Sequence, residues 1–213
     1  MSTTLNKPLS VALREATARA HEHAENSAFM QRLLSGELDK SAVADLAGQL
    51  WFVYGALENA VRSVATTPIA GAVADPRLER RQALEVDLKV LVGETWREEI
   101  RILPATRTYS ARLEEIVGKP VEVVAHHYVR YLGDISGGQV IAARLGAHYG
   151  VPPEALNFYD FTSIGKIPPY RTGYRERVDS LELNVEQREA MLSEAERAFN
   201  FNSGIFAELG RLH

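Results

Sequence analysis

Residues 121–149, VEVVAHHYVRYLGDISGGQVIAARLGAHY, carry apolar residues at helical spacing and lie between Pro120 and Gly150, residue types that open and close helices. The spacing predicts one long helix over 121–149. Yet Gly133, Gly137 and Gly138 fall in its middle, with Asp134 among them. Each interior Gly costs about 1 kcal/mol relative to Ala, so the stretch gives up roughly 3 kcal/mol. A loss of that size implies something lying against the backbone. Gly133 and Gly137 share a helix face and open a smooth strip, and the Gly137–Gly138 pair permits a kink. A flat ligand fits such a strip, and so does a close helix–helix crossing, which uses small residues at the same spacing. Asp134 separates the two readings. A carboxylate beside a tight crossing is costly unless hydrated or hydrogen-bonded, whereas in a polar pocket over a metal it can organise water.

Working outward, apolar residues keep helical spacing almost throughout and no stretch alternates like a strand, so the expected fold is all-α. Pro8 suits the first turn of a helix running to about Met30, and Asp39 can cap a second, KSAVADLAGQLWFVYGALENAVRSVA, which stops before Pro68. Asp75-Pro76 starts a third, ending at Gly93. A shorter helix covers about 105–117, closed by Gly118, and leads into the long one. VPPEALNFYDFTSIGKIPP, residues 151–169, reads as a connection with one helical turn at PEAL, followed by a helix over about 169–181. Asn184 with Gln187 forms a capping box for the last helix. No linker divides the chain, so the expectation is a compact single-domain bundle of about seven or eight helices spanning 1–213.

A net charge of −4 draws nothing towards nucleic acid or an anionic membrane as a whole molecule. Cysteine is absent, which removes disulfides, thiolate nucleophiles, iron–sulfur clusters and thiolate haem ligation together. No secretory signal or bilayer-length apolar run is present, so a soluble cytoplasmic protein is expected.

Histidine is then the first place to look for a ligand. Of the six, His21 and His23 are two apart on a helix and point in different directions. Glu25, four residues after His21, can reach it and leave its other nitrogen free for a metal; the alternative is an ordinary surface pair. None of the histidines has a Glu three residues before it, and His-Glu-x-x-His is missing, so neither di-iron nor zinc-protease spacing is met. A site with one His ligand remains, and an iron held mostly by a porphyrin needs one from the protein.

HHYVRYLGDISGGQVIA (126–142) resembles the signature of the haem oxygenase family. The likeness extends through LREATARAHEHAENSAFM (13–30), WFVYGALE (51–58), NFYDF (157–161), YRTGYRERVDSLEL (170–183) and AFNFNSGIF (198–206), in the family's order. The resemblance implies a proximal ligand at His21, partnered by Glu25, and a kinked distal helix with Gly133, Gly137 and Gly138 at the haem face. It implies a water network near bound oxygen held by Asp134 with Tyr54 and Arg130. It places the haem propionates on Arg14, Tyr128, Arg171 and Arg175, and Phe199 and Asn202 in the pocket. Some members carry Lys at the positions of Arg14 and Arg171; Arg keeps the charge and adds a bidentate fork.

The implied reaction uses haem b as substrate and cofactor, with O2 and electrons from an external reductase or ferredoxin, and yields biliverdin, carbon monoxide and ferrous iron. Animal members continue into an apolar membrane tail, whereas this sequence stops at ELGRLH, so a soluble, monomeric bacterial form with a role in iron acquisition is expected. The rivals are a haem carrier or sensor, which has no need of the Asp134 constellation, and a thiaminase-like relative, which usually needs a Cys.

Overall fold

The computed structural model describes residues 7–213 and contains no strand among them; the first six residues of the expected domain lie outside. The first helix runs over Leu9–Glu25 (α1) and does not continue to Met30. Asn26 closes it and Ser27, whose hydroxyl accepts from Met30 N at 3.4 Å, opens a separate helix, Ala28–Ser35 (α2). Ser27, directly after Glu25 and Asn26, competes for the backbone as a cap, which is why one expected helix became two.

Lys40–Val64 (α3) is the central helix, with Leu46, Leu50, Val53, Tyr54, Leu57 and Ala60 buried along it. Two single-turn helices not expected from the sequence follow it, Pro68–Gly71 (α4) and, further on, Trp96–Glu99 (α6), which sinks Trp96 completely into the core. Between them Asp75 accepts from Arg77 N at 3.0 Å and starts a short 3-10 turn before Arg81–Leu91 (α5). Gln49 on α3 pins the 100–103 connection at both ends of its amide, donating to Arg101 O at 3.0 Å and accepting from Leu103 N at 2.9 Å.

Pro104–Glu115 (α7) leads to the long helix, which is continuous but not uniform. Pro120–His127 (α8) passes through a π-helical turn at Tyr128–Leu132 into Gly133–Tyr149 (α9). The irregularity therefore sits one turn before the glycines rather than at Gly137–Gly138. Short 3-10 turns fill 153–164; Ile167–Asp179 (α10) and Val185–Leu212 (α11) complete the chain. The expected capping box is present, with Gln187 N donating to Asn184 Oδ1 at 2.8 Å and Asn184 N to Gln187 Oε1 at 3.0 Å. α11 spans roughly 42 Å at 1.5 Å per residue and packs on α1, α2, α7 and α8. None of the described helices is long and apolar enough to cross a membrane.

The core holds polar residues as well as apolar ones. His127 is buried, its Nδ1 lies 2.8 Å from the Tyr174 hydroxyl, and burial pushes the imidazole down to about 3, with Asp75 opposing weakly and Arg177 adding weakly to the shift. The folded state holds this ring neutral, whereas the unfolded chain binds a proton near its ordinary value of 6.5. The stability it contributes is present above pH 6.5 and is lost as the pH falls towards 3. We therefore expect the urea-measured stability difference between the native chain and His127→Gln to be largest at pH 7. Below about pH 6.5 it shrinks by about 1.4 kcal/mol per pH unit; a difference independent of pH would contradict the assignment.

Candidate active site

A cavity of about 670 Å3 opens between α1, the α8–α9 helix, α10 and α11. α1 presents Arg14, Thr17, Ala18, His21 and Glu25 to it, one face of a helix at three- and four-residue steps. Opposite, the long helix presents 128 and 129, 132 and 133, 136 and 137, adjacent pairs repeating every four residues. A regular α-helix, at 3.6 residues per turn, would rotate such pairs progressively off one face. The wider π turn holds them in line, and it leaves Arg130 and Tyr131 pointing behind the helix into the core.

The glycines divide by role. A Cβ built on Gly133 or Gly137 meets nothing within 4 Å, so both face open cavity, not a neighbouring helix. On Gly138 it would lie 3.2 Å from the Tyr159 ring, so this residue, expected at the haem face, makes room for Tyr159 and does not line the cavity.

Of the six histidines only His21 lines the cavity. Its Nδ1 lies 3.4 Å from Glu25 Oε2 and its ring meets Phe199 edge-on at 5.4 Å, which leaves Nε2 as the free nitrogen. His23 lies exposed outside the cavity, and His126 is buried between Tyr109 and Glu194. Around the rim stand Arg14, Arg171 and Arg175, with Tyr128 between them. Arg171 Nε is buried without a partner, and none of the three guanidiniums forms an ion pair among the described residues. Converging cations left without carboxylates fit an anionic ligand, and a bare glycine strip facing one imidazole fits a flat one that takes a single axial ligand.

Behind the strip lies a second layer. Asp134 sits on α9 with a side chain 14% exposed, accepts a hydrogen bond from the Tyr54 hydroxyl, and has Arg130 Nη2 at 3.6 Å from Oδ1. Arg130 donates to Asn202 Oδ1 at 2.9 Å and lies over the Tyr54 ring at 5.2 Å. Burial raises the Asp134 carboxyl well above the usual carboxylate range. Tyr54, Arg130, Asp134 and Asn202 are thus brought together, one layer out from the cavity surface. Sequence reasoning missed Thr17 and Ser136, small polar residues of the cavity wall that no motif marks. It also missed the pairing of Tyr159 with Gly138, of which NFYDF gave only the aromatic half.

Residues 7–208 match the family model described as heme oxygenase. The chain is 34% identical over 202 residues to heme oxygenase 1 of Synechocystis, covering 94% of this chain and 84% of that protein. It is 37% identical over 213 residues to heme oxygenase 1 of Rattus norvegicus, covering 98% of this chain and 74% of that one. Among solved structures, heme oxygenase-1 from Synechocystis in complex with heme superposes with a TM-score of 0.91 at 34% identity, covering 97% of this chain and 94% of that one. Heme oxygenase from Leptospira interrogans gives 0.90 at 32%, covering 95% and 100%. With a single histidine facing a bare glycine strip, three arginines around the same cavity, and this likeness running nearly end to end, the chain belongs to the haem oxygenase family.

Proposed function

We propose that this haem oxygenase takes haem b in the 670 Å3 cavity, where His21 would hold its iron and Arg14, Tyr128, Arg171 and Arg175 would hold its propionates. The observation that carries this reading is the placement of His21 and the Gly133–Gly137 strip on opposite walls of one cavity. Bound haem is both substrate and cofactor: with O2 and electrons from an external reductase or ferredoxin, it supplies the oxidising chemistry that opens its own ring to biliverdin, carbon monoxide and ferrous iron.

The chain's own part is to bind, orient and deliver protons. Glu25 Oε2, 3.4 Å from His21 Nδ1, favours the tautomer that leaves Nε2 free. Neutral imidazole ligation lacks the electron push of a thiolate, which this chain cannot provide. Gly133 and Gly137 admit the flat face of the ligand, and Phe199 supports the His21 ring. Asp134, with its raised pKa and the Tyr54 hydroxyl on Oδ2, holds a proton at a higher pH than an exposed carboxylate and passes it towards the cavity through water. Arg130 and Asn202 fix that carboxylate from behind. One chain supplies every lining residue, so a monomer of the single domain 1–213 suffices. The role is iron acquisition in a reducing cytoplasm, a setting compatible with a chain that has no cysteine.

The test is a haem titration followed by turnover with ascorbate or a reductase, oxygen and catalase. The expected result is a one-to-one Soret complex that decays into a biliverdin band with release of iron and carbon monoxide. A complex that keeps its Soret band under an efficient electron donor would sink the reading.

A further inference from the structure

Asp87, on α5, is 2% exposed and does not line the haem cavity. Its carboxylate is satisfied by N–H groups rather than by a cation. Oδ1 accepts from Asn157 N and Asn157 Nδ2, both at 2.8 Å, and Oδ2 accepts from Phe158 N at 2.8 Å. Two consecutive amides on one buried carboxylate fix the chain at 157–158 more firmly than packing alone. The side chains beside this fixed point face the proton-delivering pair. The Phe158 ring meets Tyr54 edge-on at 5.3 Å and Tyr159 at 4.9 Å. Tyr159 in turn fills the space beside Gly138, one helical turn beyond Asp134. The same segment therefore buttresses both the donor, Tyr54, and the helix that carries the acceptor, Asp134.

We propose that Asp87 is a positioning residue for haem cleavage, setting the Tyr54–Asp134 pair through Phe158 and Tyr159; this rests on the proton-delivering role of Asp134. A second anchor keeps the segment in place when the first is altered. Arg80 Nη1 donates to Asp160 O at 2.5 Å and its guanidinium lies 4.3 Å from the Phe161 ring. Asp87→Asn preserves volume but exchanges one acceptor oxygen for an NH2, so one of the three N–H groups loses its partner. The segment then loosens at 157–158 without leaving the fold.

The experiment compares the native chain, Asp87→Asn, Phe158→Leu and Asp134→Asn. Three readouts are taken: amide hydrogen exchange in the haem-free protein, haem affinity, and the fraction of consumed haem recovered as biliverdin. In Asp87→Asn, protection at Asn157 and Phe158 is expected to fall at least roughly tenfold, haem affinity to stay within about threefold, and the biliverdin fraction to fall at least about fivefold. Phe158→Leu keeps the carboxylate clamp and removes the ring from Tyr54, and the same split between affinity and yield is expected; it carries the test alone if Asp87→Asn fails to fold. Native yield from either folded variant, or affinity and yield falling in parallel, would overturn the proposal. Native yield from Asp134→Asn would instead overturn the proton-delivery reading itself.

Discussion

Asp134→Ala is expected to bind haem with an affinity within about threefold of the native chain and to lose about two orders of magnitude in biliverdin formation. The two effects separate because of where the residue sits. Asp134 does not line the cavity, whose walls come from α1, α10, α11 and the glycine strip, so its removal leaves the binding surface intact. It is, however, the group that receives the Tyr54 hydrogen bond and faces the Arg130 guanidinium. Without it the buried hydroxyl and guanidinium have no acid to order, and protons no longer reach the cavity by a defined route. Haem is then consumed without release of biliverdin. Product analysis under ascorbate with catalase checks this, and a native biliverdin yield would remove Asp134 from the mechanism.

His21→Ala produces the complementary result. It removes the sole imidazole of the cavity wall while sparing the arginines and the glycine strip. Metal affinity falls 10- to 100-fold when a group that merely supports a ligand is lost, so losing the ligand itself is expected to weaken haem binding by at least about a hundredfold. Added imidazole should restore a native-like Soret band by entering the vacated space, without the geometry that Glu25 imposes. The phenotype differs from that of Asp134→Ala in kind: affinity and spectrum change first, and yield follows. An unchanged spectrum would mean that another histidine binds the iron, although His23 and His126 lie outside the cavity.

Much of this arrangement is legible in the sequence because it rests on residues with one strong local meaning. Pro120 and Gly150 bound the long helix, Asn184 with Gln187 opens the last one, and the structure places all of them as the pattern predicts. The π turn is not legible. Tyr128–Leu132 contains no Pro or Gly, and its distortion follows from burial of Arg130 and Tyr131 on the core side while 128, 129, 132 and 133 face the cavity, a tertiary demand with no local marker. The glycine pair invited a kink at 137–138, yet Gly138 answers to the Tyr159 ring, a contact formed across the fold. The break at Asn26–Ser27 carries no Pro or Gly, yet the polar run Glu25-Asn26-Ser27 holds the signal that was passed over, since Ser27 is itself a good helix cap.

The site follows the same division. Spacing alone left His21–Glu25 as one surface pair among several; the fold singles it out by turning it towards the glycine strip. Arg14, Arg171 and Arg175 carry no local signal and are assigned to the propionates by resemblance alone; the structure gathers them around one cavity, none of them in an ion pair among the described residues. Arg130 lies four residues before Asp134 and can pair with it locally, Tyr54 on α3 is grouped with Asp134 only by the resemblance, and Asn202 on α11, expected in the pocket, joins them only through the fold.

All of these roles depend on haem lying between His21 and the glycine strip with its acidic edge on the arginine rim. A crystal structure of the haem complex decides whether it does. We expect iron bonded to His21 Nε2, the opposite face against Gly133 and Gly137, and propionates on Arg14, Arg171 and Arg175. Iron bonded to any other residue, or propionates turned inward away from the arginines, would refute the assignment.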